Sequence, residues 1–411
     1  MDVERSGPFS PGRLGSRTLK NRIIKAATYE GMTRDGLPGE RLRGFHRRLA
    51  EGGVAMTTLA YCATEADGRL ADDMMYLHEG IEAPLRTLVS EVHTAGALVS
   101  AQMVHCGNFS RNRSLQRTRR ALGPSRQLNR LGAAHGMPFA GAMTLEDIDH
   151  VVETFAIAAR LLQRVGFDAV ELHFGHGYAL SQFISPRTNR RRDDYGGSFD
   201  NRMRLPLRVL EAVRAVVGDG FPILGKISMT DGVKGGVSWD EGLRVATTLD
   251  AAGIDALVTS AGTSSFNPML MFHGESIVHG MIEHQTNPIA KLGLRLIAPR
   301  MFRDYPYEEL YLLEAAKRVR DRVDCAVVYI GGCSTRESLE RAIAEGFDFV
   351  QLGRPLIKDP DFPRRAMDDP RYDSGCTHCN RCVAMIDDPM GIRCPLDDPT
   401  GDAAISGAPR P

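Results

Sequence analysis

Two histidines and a tyrosine lie close together in the segment AVELHFGHGY, which runs from Ala169 to Tyr178. His173 and His176 are three residues apart, and Tyr178 follows two residues later. Paired imidazoles can donate hydrogen bonds to an oxygen on which negative charge develops. A tyrosine, with an ordinary pKa of about 10, suits proton donation to a carbanion-like centre. The segment is therefore the first candidate for a catalytic site.

Two other interpretations of the histidines stay open. An HxxH pair could bind zinc together with further ligands. The histidines could also be core residues whose hydrogen bonds are satisfied inside the protein.

Short apolar runs alternate along the chain with amphipathic segments of helical spacing. The runs are continuous, as is typical of parallel strands covered on both faces. Eight such strands alternating with helices predict an α/β fold, a (β/α)8 TIM barrel whose functional residues follow the strands. No GxGxxG segment follows a strand, which argues against a Rossmann domain. The predicted strands are Arg22–Ala27, Val54–Leu59, Ala97–Met103, Ala169–His173, Pro222–Lys226, Ala256–Thr259, Ala326–Ile330 and Phe349–Leu352.

Several segments depart from this repeat. Residues 1–21 contain Pro8 and Pro11 and predict an N-terminal hairpin under the barrel. Long loops follow the third and sixth strands, at 104–143 and 260–306, and loops of this length are usually lids or binding elements. The predicted division is a barrel at 1–370 and a cysteine-rich tail at 371–411.

Basic and acidic residues are equal in number, 51 each, so the chain has no net charge. We therefore expect neither nucleic acid nor a membrane surface as a partner. The N-terminus lacks the apolar core of a signal peptide, and no run reaches the roughly 18 apolar residues of a membrane span. We expect a cytoplasmic protein with reduced cysteines, and the sequence leaves a homo-oligomer open.

One local charge cluster stands out against this balance. It fits either a solvated loop or a site for the phosphates of a dinucleotide or CoA-like ligand. Seven arginines form it within 20 residues, namely Arg111, Arg113, Arg117, Arg119, Arg120, Arg126 and Arg130.

Four motifs together resemble the FMN-dependent Old Yellow Enzyme family of NADH:flavin oxidoreductases, from about Phe9 to Met367. They are AQMVHCGN, HFGHGYALSQFISPRTNRRRDDYGGSFDNR, IGGCS and FVQLGRPLIKDPDFP. The resemblance implies an FMN cofactor at the barrel mouth and NAD(P)H as the co-substrate. It also implies reduction of activated C=C bonds in α,β-unsaturated carbonyl or enoyl-type substrates. His173 and His176 would hold the carbonyl oxygen, and Tyr178 would donate the proton.

A flavin needs hydrogen-bond partners along its pyrimidine edge and a cation near N1 and O2. Gln102 matches the glutamine of the family at the end of the third strand. Lys226 ends the fifth strand, where much of the family has arginine, so the charge is retained but a two-point contact is lost. Tyr29 stands where the family often has Thr or Cys, and we predict that it contacts substrate or tunes the flavin. Short side chains that would let backbone approach the ring are Ala26, Ala27, Thr28 and Ala60.

Glycines and an arginine follow the last two strands, where TIM barrels usually bind phosphate. Gly331 and Gly332 would let backbone N–H groups approach the ligand, and Arg354, after Gly353, would supply a bidentate cation. We predict the phosphate site of FMN there.

Two alternative functions stay open. An iron–sulfur flavoprotein of the amine-dehydrogenase type would oxidise a C–N bond, as a dehydrogenase or demethylase. A non-catalytic flavin-binding protein would act as a redox sensor through its cysteine tail.

That tail contains the pattern CxxCxxC, formed by Cys376, Cys379 and Cys382, and Cys394 follows after eleven residues. Four thiolates in this pattern are typical of a [4Fe–4S] cluster. They resemble the iron–sulfur segment of the 2,4-dienoyl-CoA reductase branch. In that branch the interval between the second and third cysteines is one residue longer. Structural zinc on the same thiolates and unliganded thiols are the alternatives.

Overall fold

The computed structural model describes residues 7–34, 36–133, 135–278 and 305–399, together with residues 282, 291, 292, 295 and 303. The first two strands, β1 (Gly12–Leu14) and β2 (Arg17–Leu19), pair antiparallel as the predicted hairpin. Leu14 and Leu19 are fully buried in one cluster with residues that begin the barrel strands. The hairpin therefore closes the amino-terminal end of the barrel.

Eight parallel strands form a closed barrel. They pair in chain order, and the last strand pairs with the first. The barrel strands are β3 (Ile23–Lys25), β6 (Met56–Ala63), β7 (Leu98–Val104), β11 (Ala169–Phe174), β12 (Ile223–Ser228), β13 (Ala256–Ser260), β14 (Ala326–Tyr329) and β15 (Phe349–Leu352). Each of the eight predicted runs overlaps one of these strands, so the predicted TIM barrel is confirmed. The remaining strands in chain order are β4 (Thr33–Arg34), β5 (Leu37–Pro38), β8 (Leu122–Gly123), β9 (Gln127–Leu128) and β10 (Phe139–Ala142).

The helices pack around the outside of this barrel. Thr144 caps one of them, since its hydroxyl accepts from the backbone of Asp147, whose carboxylate accepts in turn from Thr144 N–H. The helices are α1 (Glu40–Glu51), α2 (Glu82–Thr94), α3 (Arg130–Ala133), α4 (Leu145–Val165), α5 (Ala179–Ile184), α6 (Phe199–Val217), α7 (Trp239–Ala251), α8 (Leu313–Arg320), α9 (Arg336–Ala344), α10 (Arg354–Lys358) and α11 (Phe362–Asp368).

The two predicted long loops differ in how much of them is described. The loop after β7 contains a small sheet in which β10 pairs with both β8 and β9. Much of the loop predicted at 260–306 lies outside the described residues. Among the helices that the structure describes, none combines the length and apolar character needed to cross a bilayer. The cytoplasmic location stays a prediction.

Side-chain alternation divides the barrel interior into layers. Ala169, Glu171 and His173 occupy alternate positions of β11 and are all buried. Ala169 belongs to the apolar cluster at the amino-terminal end. The polar side chains of Glu171 and His173 lie nearer the carboxyl end of the strand. The candidate functional residues therefore meet at the carboxyl ends of the strands.

Candidate active site

The two predicted histidines form a contact pair at the end of β11. Their rings lie 4.9 Å apart, centroid to centroid, and are nearly perpendicular. Burial, together with the charge of Lys226, lowers the pKa of His176 to about 3. Burial likewise holds the pKa of His173 well below its usual value, with His176 and Lys226 adding to the effect. Both imidazoles are therefore uncharged at neutral pH.

Neighbouring groups favour particular positions for the imidazole protons. The backbone N–H of Gly175 donates to Nδ1 of His173 at 3.4 Å, which leaves Nε2 of that ring as the N–H donor. Nε2 of His176 lies 2.7 Å from the hydroxyl oxygen of Ser260. If Ser260 donates in this pair, Nδ1 of His176 carries the proton and is also a donor.

Tyr178 completes the group that the sequence predicted. Its ring lies 4.7 Å from the ring of His173, and its hydroxyl donates to the hydroxyl of Tyr61 at 3.0 Å. Tyr61 stacks in turn on Tyr29, with ring centroids 5.4 Å apart. Burial raises the pKa of Tyr178 well above its usual value, so its proton is retained at neutral pH. The structure thus adds Tyr61 to the site.

A buried polar layer lies inside the barrel beside the imidazoles. The carboxylate of Glu171 accepts from the side-chain amide of Gln102 at 2.6 Å and from that of Gln351 at 2.7 Å. The ammonium of Lys226 lies 3.0 Å from the same carboxylate. The predicted flavin contacts Gln102 and Lys226 therefore share one acidic partner, which the sequence interpretation missed together with Gln351.

Three buried oxygen atoms in this region have no hydrogen-bond partner among the described residues. They are Oε1 of Gln102, Oε1 of Gln351 and Oγ1 of Thr28. Buried polar atoms are rarely left unsatisfied in native proteins. Two acceptors and a hydroxyl without protein partners match the N–H and carbonyl groups along the edge of a flavin. The residues present therefore fit the predicted cofactor.

The ends of β3 and β6 hold a second buried ion pair. Lys25 bonds to Glu30, whose other carboxylate oxygen accepts from the backbone N–H of Ala60 at 3.1 Å. Burial raises the pKa of Glu30 to about 7, although Lys25 opposes the shift. Ala26 is buried and Ala27 is half-buried beside this pair. The N–H of Ala60 is thus already engaged and does not donate to a ligand.

The predicted phosphate residues follow the neighbouring strands β14 and β15. Gly331 and Gly332 have φ values of 135° and 81°, and a Cβ on either would lie within 3.0 Å of residues 308–312. Gly353 is more open, since its Cβ would meet only Thr28, at 3.5 Å. Arg354 donates to the carbonyl of His273 and to the side-chain oxygen of Asn380, each at 2.6 Å. Arg354 therefore connects the end of β15 with the tail.

The cysteine tail packs on the barrel as far as it is described. All four predicted ligands, Cys376, Cys379, Cys382 and Cys394, line one cavity with Arg354. Cys382 and Cys394 also belong to the main core cluster. No three His, Cys, Asp or Glu side chains in the described part of the chain are grouped as a metal site. The tail thus brings four thiols to one cavity without forming a preassembled metal site.

Donor groups gathered at the carboxyl ends of eight parallel strands are characteristic of TIM-barrel enzymes. Within that class, a family model described as NADH:flavin oxidoreductase / NADH oxidase matches residues 8–265. The chain belongs to this family, which confirms the resemblance drawn from its motifs. It is accordingly a flavin-dependent oxidoreductase with FMN as cofactor and NAD(P)H as the reductant.

Three similar proteins illustrate the relationship. A 4,4'-dithiodibutanoate disulfide reductase from Rhodococcus erythropolis is 38% identical over 391 residues, which cover 95% of each chain. An NADH oxidase from Thermoanaerobacter brockii is 30% identical over 97% of this chain, which spans only 56% of that relative. The solved structure of an old yellow enzyme homologue from Zymomonas mobilis superposes with a TM-score of 0.70 at 23% identity, covering 90% of this chain and 94% of the other.

Proposed function

We propose that the protein is an FMN-dependent NAD(P)H oxidoreductase that reduces activated C=C bonds of α,β-unsaturated carbonyl or enoyl-type substrates. The observation that carries the proposal is the contact of His173 with both His176 and the phenol of Tyr178, in a group whose two imidazoles are uncharged. Neutral donors bind a carbonyl oxygen weakly and bind it more strongly as negative charge develops, which is the differential binding that accelerates a reaction.

The cofactor would be held by groups from six barrel strands and the segments directly after them. Gln102 and Lys226 would bind the pyrimidine edge, and Ala26, Ala27, Thr28 and Ala60 would line the ring. Arg354 and the backbone at Gly331, Gly332 and Gly353 would bind the phosphate. FMN, when bound and reduced by NAD(P)H, supplies the hydride that adds to the β carbon of the substrate.

The residues of the site then act on the other end of the double bond. As the hydride adds, the π electron pair moves toward the carbonyl oxygen, which accepts hydrogen bonds from His173 and His176. Tyr178 gives its phenolic proton to the α carbon, so that one hydride and one proton saturate the bond. The Tyr178 phenolate would then accept a proton from the Tyr61 hydroxyl, which lies 3.0 Å away, and Tyr61 would regain its proton from solvent. Tyr29, stacked on Tyr61, would contact the substrate.

Disulfides are a second candidate substrate class. The relative that is 38% identical over nearly its whole length is described as a disulfide reductase, which favours this class. A disulfide that takes up one hydride breaks into a thiol and a thiolate. The proton of Tyr178 would convert that thiolate into a second thiol. The same donor arrangement therefore suits either substrate class.

For the tail, we propose that Cys376, Cys379, Cys382 and Cys394 hold a [4Fe–4S] cluster. Their convergence on one cavity lined by Arg354 supports this proposal. Iron and zinc analysis of anaerobically purified protein tests it. About four iron atoms per chain would support the cluster, whereas stoichiometric zinc or no metal would contradict it.

Anaerobic half-reactions test the main proposal. FMN-loaded protein is reduced with NADH or NADPH and then mixed with a cyclic enone or an organic disulfide, and in a separate experiment the oxidised protein is mixed with a secondary amine. Reoxidation by the enone with formation of the saturated ketone would support C=C reduction. Reoxidation by the disulfide alone would replace it with S–S reduction. Reduction of the oxidised flavin by the amine would instead favour the amine-dehydrogenase alternative.

A further inference from the structure

The arginine-rich segment after β7 has a feature that the flavin site does not explain. Arg117 pairs with Asp147, and Arg126 lies over the ring of Phe139. Arg130 instead extends to Phe266, in the loop after β13, with its guanidinium carbon 4.8 Å from the ring centroid. Arg187, from the segment after α5, lies 4.5 Å from the centroid of the same ring. Two guanidinium groups therefore lie within 5 Å of the centroid of one aromatic ring.

Neither of these guanidinium groups has a carboxylate within ion-pair distance in the described part of the chain. Arg187 donates through one terminal nitrogen to the carbonyl of Lys234 at 2.7 Å, and its buried Nε has no partner among the residues that the structure describes. An arginine stacked on a ring keeps its N–H donors in the guanidinium plane, where they can bind an anion. A bound anion would also reduce the repulsion between the two like charges.

Phe266 lies close to the catalytic group along the chain and in space. The backbone N–H of Ser264 donates to the carbonyl of His176 at 2.9 Å. The side chain of Ser264 also lies near the Tyr178 hydroxyl and acts to lower its pKa, against the larger effect of burial. Phe266 follows two residues later. A substrate whose reacting group contacts His176 and Tyr178 can therefore extend toward Phe266 with its other end.

A small cavity of about 10 Å³ lies against Phe266 and has room for about one water molecule. Asn108 lines this cavity. Its side-chain amide nitrogen is buried and has no acceptor among the described residues. Asp231 also lines the cavity, and its carboxylate accepts from Ser185 and from the backbone of Val237. The carboxylate of Asp231 disfavours an anion inside the cavity. We therefore expect an anionic group of a ligand to bind the arginines beside the ring of Phe266 instead.

We propose that Arg130, Arg187 and Phe266 form a subsite for a carboxylate of the substrate that is being reduced. The substrate class is then an acid in which a few carbons separate the carboxylate from the enone or disulfide. This inference rests on the proposed function in so far as His176 and Tyr178 hold the reacting group. The arginines would supply charge-assisted hydrogen bonds, and Phe266 would hold their side chains in place.

A pair of phenols tests the subsite by binding rather than turnover. FMN-loaded protein is titrated with 3-(4-hydroxyphenyl)propanoate and with its methyl ester, and flavin absorbance is followed. The variant Arg130→Gln/Arg187→Gln should bind the acid about tenfold or more weakly and the ester as tightly as the wild type does. The matched control is Arg126→Gln, which removes an arginine stacked on Phe139 and should change neither affinity. Equal changes for acid and ester, or an unchanged affinity for the acid, would overturn the proposal.

The phosphates of the nicotinamide dinucleotide are the other source of negative charge. Anaerobic flavin reduction by NADH and NADPH is therefore measured on the same variants. Slower reduction at low dinucleotide concentration, with unchanged acid binding, would assign the arginines to the dinucleotide and overturn the carboxylate subsite. If neither phenol perturbs the wild-type flavin, the assignment of the imidazole pair fails instead. Calorimetric titration with the acid then tests the arginines directly, and equal heats for wild type and variant would overturn the subsite.

Discussion

The hydroxyl of Tyr178 donates a hydrogen bond to the hydroxyl of Tyr61 across 3.0 Å. Burial raises the pKa of Tyr61 to about 12 and raises that of Tyr178 well above its usual value. Both phenols therefore hold their protons at neutral pH. Both rings also lie near His173, with centroid distances of 4.7 Å for Tyr178 and 6.1 Å for Tyr61.

Replacing Tyr178 with Phe removes the proton donor while leaving the ring in place. We expect reduction of an enone to slow by about 100-fold or more, the usual contribution of a general acid. Flavin reduction by NAD(P)H should be almost unchanged because it needs no proton from this residue. Stopped-flow measurement of the two half-reactions checks this, and equal losses in both would contradict the assigned role.

The variant Tyr61→Phe tests whether the second phenol acts through the first. We expect a smaller loss, about tenfold, in the oxidative half-reaction with the enone. The double variant Tyr61→Phe/Tyr178→Phe should be no slower than Tyr178→Phe alone, because Tyr61 has no role once the donor is gone. Additive losses would show that Tyr61 acts independently of Tyr178.

Glu171 should lower the reduction potential of the flavin by compensating the charge of Lys226. The variant Glu171→Gln keeps a hydrogen-bonding side chain but removes the negative charge 3.0 Å from the ammonium. Stronger stabilisation of the anionic reduced flavin should raise the two-electron midpoint potential by about 30 mV or more. Dye-coupled reductive titration measures this change.

Lys226→Met is the matched control for that measurement. It should shift the midpoint potential in the opposite direction, because the cation near the flavin is lost. Potentials that stay at the wild-type value in both FMN-loaded variants would show that the Glu171–Lys226 pair does not contact the cofactor.

The pH dependence of phenol binding should contain no histidine ionisation. Burial holds the pKa of His173 well below its usual value and lowers that of His176 to about 3, so neither ring gains a proton between pH 5 and pH 8, roughly. The histidines should therefore add no ionisation of their own to that of the phenol in this range. Titrations across this range check it, and an additional inflection near neutrality that disappears in His176→Ala would contradict it.

Glu65 should contribute to stability at neutral pH and lose that contribution in acid. Burial alone would raise the pKa of Glu65, but hydrogen bonds and charge from His105 and His150 lower it to about 2. The contribution is complete above the unfolded-state pKa of about 4.5 and is lost as the pH falls toward 2. The contribution of Glu65 to the free energy of unfolding is about 3 kcal/mol, of which about 2 kcal/mol is lost by pH 3.

Urea unfolding of wild type and Glu65→Gln at pH 6 and pH 3 measures this effect. The free energy of unfolding should fall less between the two pH values in the variant, because its amide does not titrate. A parallel fall in both proteins would show that Glu65 is not responsible for the acid sensitivity.

The barrel could be predicted from the sequence because its strands are continuous apolar runs bounded by polar residues. The signal for Glu171 was also present, since side chains alternate along a strand and Glu171 precedes His173 by two positions. Tyr61 could not be found in this way. The predicted strand ended at Leu59, whereas β6 continues to Ala63 through a register irregularity between Leu59 and Cys62. Such a bulge depends on pairing with the neighbouring strand.

Contacts between separate loops could not be predicted from the sequence either. Arg130, Arg187 and Phe266 come from segments after three different strands, and only the closed barrel brings them together. The same holds for Gln351, which reaches Glu171 from a strand 180 residues further along the chain. Sequence spacing identifies side chains on one strand, but contacts between strands require the three-dimensional arrangement.

We propose that the bound flavin presents its reactive face to the imidazole pair of His173 and His176. Titration of FMN-loaded protein with a simple phenol tests this most directly, because a phenolate oxygen imitates the oxyanion that the pair would bind. The wild-type flavin spectrum should change saturably, and His173→Ala/His176→Ala should retain FMN but lose most of that response. A double variant that binds the phenol as tightly as the wild type would contradict the claim.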